Sequence, residues 1–180
     1  MPKEYTLSFG QANWYALILL IPIGVLLLVP YASLYSWSTL GKDLVLFIKD
    51  FPLFILAVVV GTFAHELLHA ISWVWLDAIS WSNIHFGFNW NALAPYVHCS
   101  QPIEVTHYRW GVAIPGIVLG VVPYLCALVF HYEWLLGFSL FFTLAAGGDI
   151  LILWLLRKVE KGKKVQDHPE LVGCRIIESD

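Results

Sequence analysis

Residues 51–76 read FPLFILAVVVGTFAHELLHAISWVWL, an apolar run whose C-terminal half carries His65, Glu66 and His69. At 1.5 Å rise per residue, this helix-length run exceeds the ~20 residues that cross a ~30 Å hydrocarbon core. A carboxyl and two imidazoles inside such a segment cost on the order of several kcal/mol unless they are paired or functional. His65 and His69 stand four apart, ~40° around a helix and one turn along it, so both rings leave one face and can share a metal ion. Glu66 follows the first of them. It can take a proton from a water attacking a carbonyl and later deliver it to the leaving amine. H-E-L-L-H at 65–69 is therefore the pattern of a zinc hydrolase, in which zinc lowers the pKa of water toward ~7 and polarises the carbonyl.

The rest of the chain agrees with a bilayer as its solvent. Of 180 residues, 59% are hydrophobic and 13% charged, with a mean hydropathy of +0.72, against roughly 45–50% and about 25% in soluble domains. Four runs are long enough to span, at residues 14–31, 51–76, 110–130 and 134–156. Little chain is left for a second domain, so 1–180 reads as one membrane-embedded unit. The first run is too long for a cleaved signal peptide and stays as a span. Arg157, Lys158, Lys161, Lys163 and Lys164 crowd after the fourth run, which makes 157–180 a basic cytoplasmic tail. With an even number of spans, Lys3 and the N-terminus share that side. The segment between the third and fourth runs, which has no Lys or Arg, takes the other. A net charge of −3 offers no polycationic surface for nucleic acid. Cys99, Cys126 and Cys174 lack the pairing of a disulfide framework or a cysteine zinc site.

Between the second and third runs the period changes. Ile84, Phe86, Phe88 and Trp90 alternate with polar or small residues, Asn89, Asn91 and Pro95 supply turn chemistry, and Tyr96–Cys99 can return as a second strand. The expected fold is thus an all-α membrane protein of about four transmembrane helices, with a small β-hairpin or edge sheet between helices two and three.

A zinc ion with one position open for water needs a third protein ligand. Asp149 leads, because a carboxylate in Leu144-Ala145-Ala146-Gly147-Gly148-Asp149-Ile150 is otherwise costly. His69 and Asp149 each precede the end of their run, Leu76 and Leu156, by seven residues, or about 10 Å of helix. Both then lie at one depth, and Gly147 and Gly148 allow close helix approach. Asp149 could instead partner Arg109 or an aromatic donor. His98 or His107 could serve as third ligand or as a hydrogen-bond donor to the transition state. His85 and His168 read as solvated or capping residues, His131 belongs to the far membrane face, and Glu104 and Arg109 read as interface charges.

The H-E-L-L-H-Ala70 motif, with Gly147-Gly148-Asp149 in a later span, resembles site-2-protease-type intramembrane zinc metalloproteases. More closely, residues 50–175 resemble the putative zincin peptidase family of small bacterial membrane proteins, a domain of unknown function. Pro95-Tyr96-Val97-His98-Cys99, Ala113-Ile114-Pro115-Gly116 and Asp167-His168-Pro169 carry that likeness with the first motif. The resemblance implies a helical core in a bacterial cell membrane, one zinc held by His65, His69 and Asp149, and Glu66 as general base. Gly147 and Gly148 precede the aspartate, whereas in site-2 proteases a glycine follows it. The expected activity is cleavage of membrane or membrane-proximal polypeptides near the cytoplasmic face, with the bilayer and a membrane protein or peptide substrate as partners. A substrate must be held extended at the metal, and the hairpin edge around Phe86 and Phe88 can do so by strand addition. The alternative is a zinc-binding membrane protein that processes nothing. A transporter lacks a polar pathway, since the spans hold few polar groups beyond the motif and Asp149.

Overall fold

The computed structural model of the chain describes residues 4–90, 94–168 and 171–177. Lys3, Asn91 and Pro169, which enter the reading above, lie outside them.

Helix α1 (Phe9–Tyr35) opens on Ser8, whose hydroxyl accepts the Gln11 amide at 3.2 Å while the Gln11 side chain accepts the Ser8 amide at 3.0 Å. Two orphan N-terminal donors are thereby satisfied. The helix runs through Pro22 and Pro30 and is longer at both ends than the expected span. It stops at Ser36, where φ is 78°. Ser36 also accepts the Thr39 amide at 3.2 Å and so begins α2 (Trp37–Lys49), a helix absent from the sequence reading. α2 buries Asp43, which accepts the Tyr31 hydroxyl at 2.8 Å.

Helix α3 (Phe51–Leu76) has the expected bounds. The next rod starts five residues earlier than the expected Trp110: α4 (Val105–Pro115) continues through a π-helical stretch at Gly116–Val121 into α5 (Val122–Phe130). The wide turns lie between Pro115 and Pro123, neither of which can donate to a regular i→i−4 ladder. The expected span at 134–156 is broken into α6 (Glu133–Ala145) and α7 (Gly147–Leu156), bent by 46°. Among the described residues three helices, Gly10–Tyr35, Phe51–Leu76 and Val105–Phe130, are long and apolar enough to cross a membrane, and α6 with α7 pass only as a pair. Their outward side chains, among them Ile21, Leu26, Phe63 and Val129, are exposed and apolar. Inside, Ile23, Leu27, Tyr31, Leu40 and Leu136 pack together. Gly61 lets α3 approach α6 so closely that a Cβ there would run into the Phe142 ring.

The expected hairpin is present as β2 (Ile84–Asn89) and β3 (Ala94–Cys99), antiparallel with Phe86 opposite Val97 and His85 opposite His98. A second sheet corrects the all-α expectation. It joins β1 (Glu4–Leu7), β6 (Val172–Ile177), β5 (Lys164–Asp167) and β4 (Ile103–Glu104) in that order, all antiparallel, so much of the basic tail is strand. Gly173, at φ 125°, lies directly against the Tyr5 carbonyl, where no side chain fits. Beneath the sheet Ile103, Val105, Val165 and Cys174 form a core with Trp73, Tyr108 and Leu156. Burial, then the nearby Asp167 carboxylate, push the Cys174 thiol up to about 12. Cys99, Cys126 and Cys174 are all free thiols.

Two charges tie α4 to the elements around it. Glu104 caps α4, accepting the amides of Thr106 at 2.7 Å and His107 at 3.2 Å, and it also accepts the Gly162 amide at 2.7 Å. Burial pushes its carboxyl up, but these amides outweigh that and hold it below the usual carboxylate range. Arg109 donates to the carbonyls of Leu156 and Val159 and so closes the end of α7.

Candidate metal centre

On α3, residues at i, i+4 and i+8 put His65, His69 and Trp73 on one face, and α7 delivers Asp149 to it from its first turn. The Asp149 carboxylate lies between the two imidazoles, with Oδ2 3.0 Å from His65 Nε2 and Oδ1 3.5 Å from His69 Nε2. One ligand atom from each residue falls within 4.8 Å of the others, the one such group among the described residues. His69 Nδ1 lies 2.9 Å from the Gly111 carbonyl, which can only accept, so Nδ1 carries a proton and Nε2 is the nitrogen turned to Asp149. Asp149 Oδ2 is buried and receives no hydrogen bond among the described residues. Two imidazole nitrogens and a carboxylate are a donor set that zinc favours, and tetrahedral bonds of ~2.0–2.1 Å separate ligand atoms by roughly 3.3–3.5 Å. The residues present therefore fit the ion.

Aromatic stacking supports the ligand helix. The His69 ring lies over Trp73 at 5.7 Å and 18°, and Trp73 over Tyr108 of α4 at 5.6 Å and 9°. The Tyr108 hydroxyl donates to Asp167 Oδ1 at 2.6 Å, and Asp167 Oδ2 accepts the Cys99 amide at 2.9 Å. Burial pushes the Asp167 carboxyl up despite these donors. Strand β5 of the tail is thus tied both to the stack behind His69 and to the hairpin strand β3.

Glu66 points into a cavity of about 960 Å³ that it shares with His65, His69 and Asp149. The hairpin and the tail wall this cavity, and the Val97 amide of β3 faces the Glu66 carboxylate. His85, His98 and His168 also line it. His107 instead pairs with Asp77 at 2.6 Å. His131, in the turn between α5 and α6, stacks on Tyr35 at 4.1 Å and lies 3.4 Å from Asp43, away from the cavity. Arg109 does not pair with Asp149 among the described residues; its Nη2 donates to the end of α7. Of the hairpin aromatics, Phe88 lines the cavity, whereas Phe86 is 56% exposed outside it. Sequence reasoning missed Trp73, Tyr108 and Gly111. The i+4 repeat from His69 was a signal for the first, and none marked the others.

This donor set, on two apolar helices with a carboxylate one residue after the first histidine, could hold a metal ion beside a carboxylate base. The chain belongs to the family described as putative zincin peptidase, whose model matches residues 58–163, more than half of its length. Comparison with curated proteins and with solved structures gives no match.

Proposed function

We propose that this chain is an intramembrane zinc metalloprotease that cuts membrane or membrane-proximal polypeptides near the cytoplasmic face, with α6 and α7 together forming a fourth span. The observation that carries this reading is the convergence of His65, His69 and Asp149 beside Glu66 at the cavity wall. The basic residues after Leu156 support a cytoplasmic placement for that end of the bundle. His65, His69 and Asp149 would hold the ion, and zinc there supplies Lewis acidity toward a carbonyl and toward water. Glu66 takes one proton as the water oxygen bonds to the carbonyl carbon. It passes that proton to the amide nitrogen as the C–N bond breaks. Both water protons end on that nitrogen, leaving an ammonium and a carboxylate. Metal analysis of detergent-purified protein tests the site. Wild type is expected to hold one zinc per chain, and His65→Ala and Asp149→Ala none. A wild-type protein without metal would sink the reading.

The hairpin edge that points away from Glu66 supports a way to hold a flanking part of the substrate extended. The Ser100 amide bonds to the Asn83 carbonyl at 3.0 Å, which places Ile84–Cys99, Phe86–Val97 and Phe88–Pro95 as the pairs that exchange no ladder bonds. The outward donors of β3 are already engaged: Val97 faces Glu66, Cys99 binds Asp167, and Pro95 has none. On β2 the Ile84 amide bonds to the Trp81 carbonyl, which leaves Phe86 and Phe88 to offer an amide and a carbonyl each to an added strand. Proline at Phe86 or Phe88 removes one outward donor and spares the ladder. Each substitution is expected to slow cleavage about tenfold with zinc retained, as kinetics and metal content on the same preparations will read. Unchanged rates would move substrate away from this edge.

A further inference from the structure

We propose that His98 is a second catalytic residue of this site, donating a hydrogen bond to the scissile carbonyl oxygen as negative charge builds on it, and that Asp167 is the positioning residue that aims it. The inference rests on the metalloprotease reading above and adds the group that meets the developing oxyanion.

The placement of His98 comes from the hairpin. Its side chain, 30% exposed, lines the same cavity as His65, Glu66 and Asp149. The preceding residue, Val97, turns its amide to Glu66, so β3 sets His98 one residue from the contact with the general base. Its orientation comes from the tail. His98 Nδ1 lies 3.6 Å from Asp167 Oδ2. Asp167 cannot swing away, because the Tyr108 hydroxyl holds one oxygen and the Cys99 amide the other. A fixed carboxylate on the Nδ1 side orients the ring, and an Nε2 that carries a proton is then the donor left for the oxyanion.

A lysine or arginine side chain is what the cavity otherwise lacks: none is among the described residues that line it. The other two histidines of the hairpin and tail are placed differently. His168 Nδ1 accepts the Leu171 amide at 3.0 Å, and His85 has no carboxylate within ion-pair distance among the described residues. A donor fixed beforehand at the place where charge develops, in a site walled by apolar helices, stabilises the transition state more than the ground state. Asp167 lies beyond residues 58–163, so this arrangement comes from the chain's own C-terminal strands.

Binding of two isosteres to the zinc-loaded protein in detergent tests the proposal. One is a leucine-flanked phosphinic peptide, whose tetrahedral anion copies the charge of the transition state. The other is the neutral hydroxyethylene isostere of the same sequence. His98→Gln is expected to weaken the phosphinic peptide about 10- to 100-fold and to leave the neutral isostere and the zinc content unchanged. Asp167→Asn is expected to give the same selective loss, whereas a purely structural role for it would weaken both isosteres together. Equal affinity of His98→Gln and wild type for the phosphinic peptide, or parallel loss of both isosteres in His98→Gln, would overturn the proposal. So would a zinc-loaded wild type that does not prefer the anion. These results leave the metalloprotease reading standing, while a wild type that holds no zinc removes both.

Discussion

Glu66→Gln should keep its zinc and lose turnover by about 100- to 10,000-fold, the usual worth of a general base. Glutamine has the shape of glutamate and no site for the proton. The proposed ligands are His65, His69 and Asp149, so the substitution leaves the metal's donor set whole. Zinc per chain and initial rates, measured on one preparation beside wild type, separate the possible roles. Loss of metal and activity together would make Glu66 a ligand or a structural group. Full activity would put the base elsewhere in the cavity.

A methyl group at Gly111 should do nearly as much harm from behind the site. The Gly111 carbonyl holds His69 Nδ1, and a Cβ on the same residue would run into the Trp73 indole. That indole is 3% exposed and stacked between His69 and Tyr108, so any shift of it moves the His69 ring. Gly111→Ala should therefore cost about 1–3 kcal/mol through overpacking. By turning His69 it should also weaken zinc binding about 10- to 100-fold, the range found when a partner of a metal-bound histidine is disturbed. Gly24→Ala is the control, because nothing lies within 4 Å of a Cβ there, and it should be neutral or slightly stabilising. Thermal unfolding and competition with a zinc chelator read both effects. Equal behaviour of the two variants would show that the stack does not brace the ligand.

The parts of this fold that were legible in the sequence rest on local pattern. The α3 bounds follow from an unbroken apolar run, β2 from alternation at period two, and the interest of Asp149 from the cost of a carboxylate among leucines and alanines. The illegible parts depend on distant partners. Glu4–Leu7 is too short to announce a strand until Val172–Ile177 lies beside it. The 46° bend between α6 and α7 sits in a run that hydropathy reads as continuous. α2 did carry a local signal, Ser36 before an amphipathic stretch, that was passed over. Asp167 stands in the sequence as part of Asp167-His168-Pro169 with no role assigned, because what gives it one, Tyr108 and Cys99 on its two oxygens, comes from elements about 60 residues away.

The second sheet also sets an order of events during synthesis. β1 emerges from the ribosome almost a whole chain ahead of β6, the strand it pairs with. Until β5 and β6 are made, Tyr108 and the Cys99 amide lack the carboxylate they bind in the folded protein, and one wall of the cavity is missing. A nascent chain can thus hold the H-E-L-L-H helix already formed while the cavity beside it is still open, and strands made nearly a whole chain after β1 complete its wall.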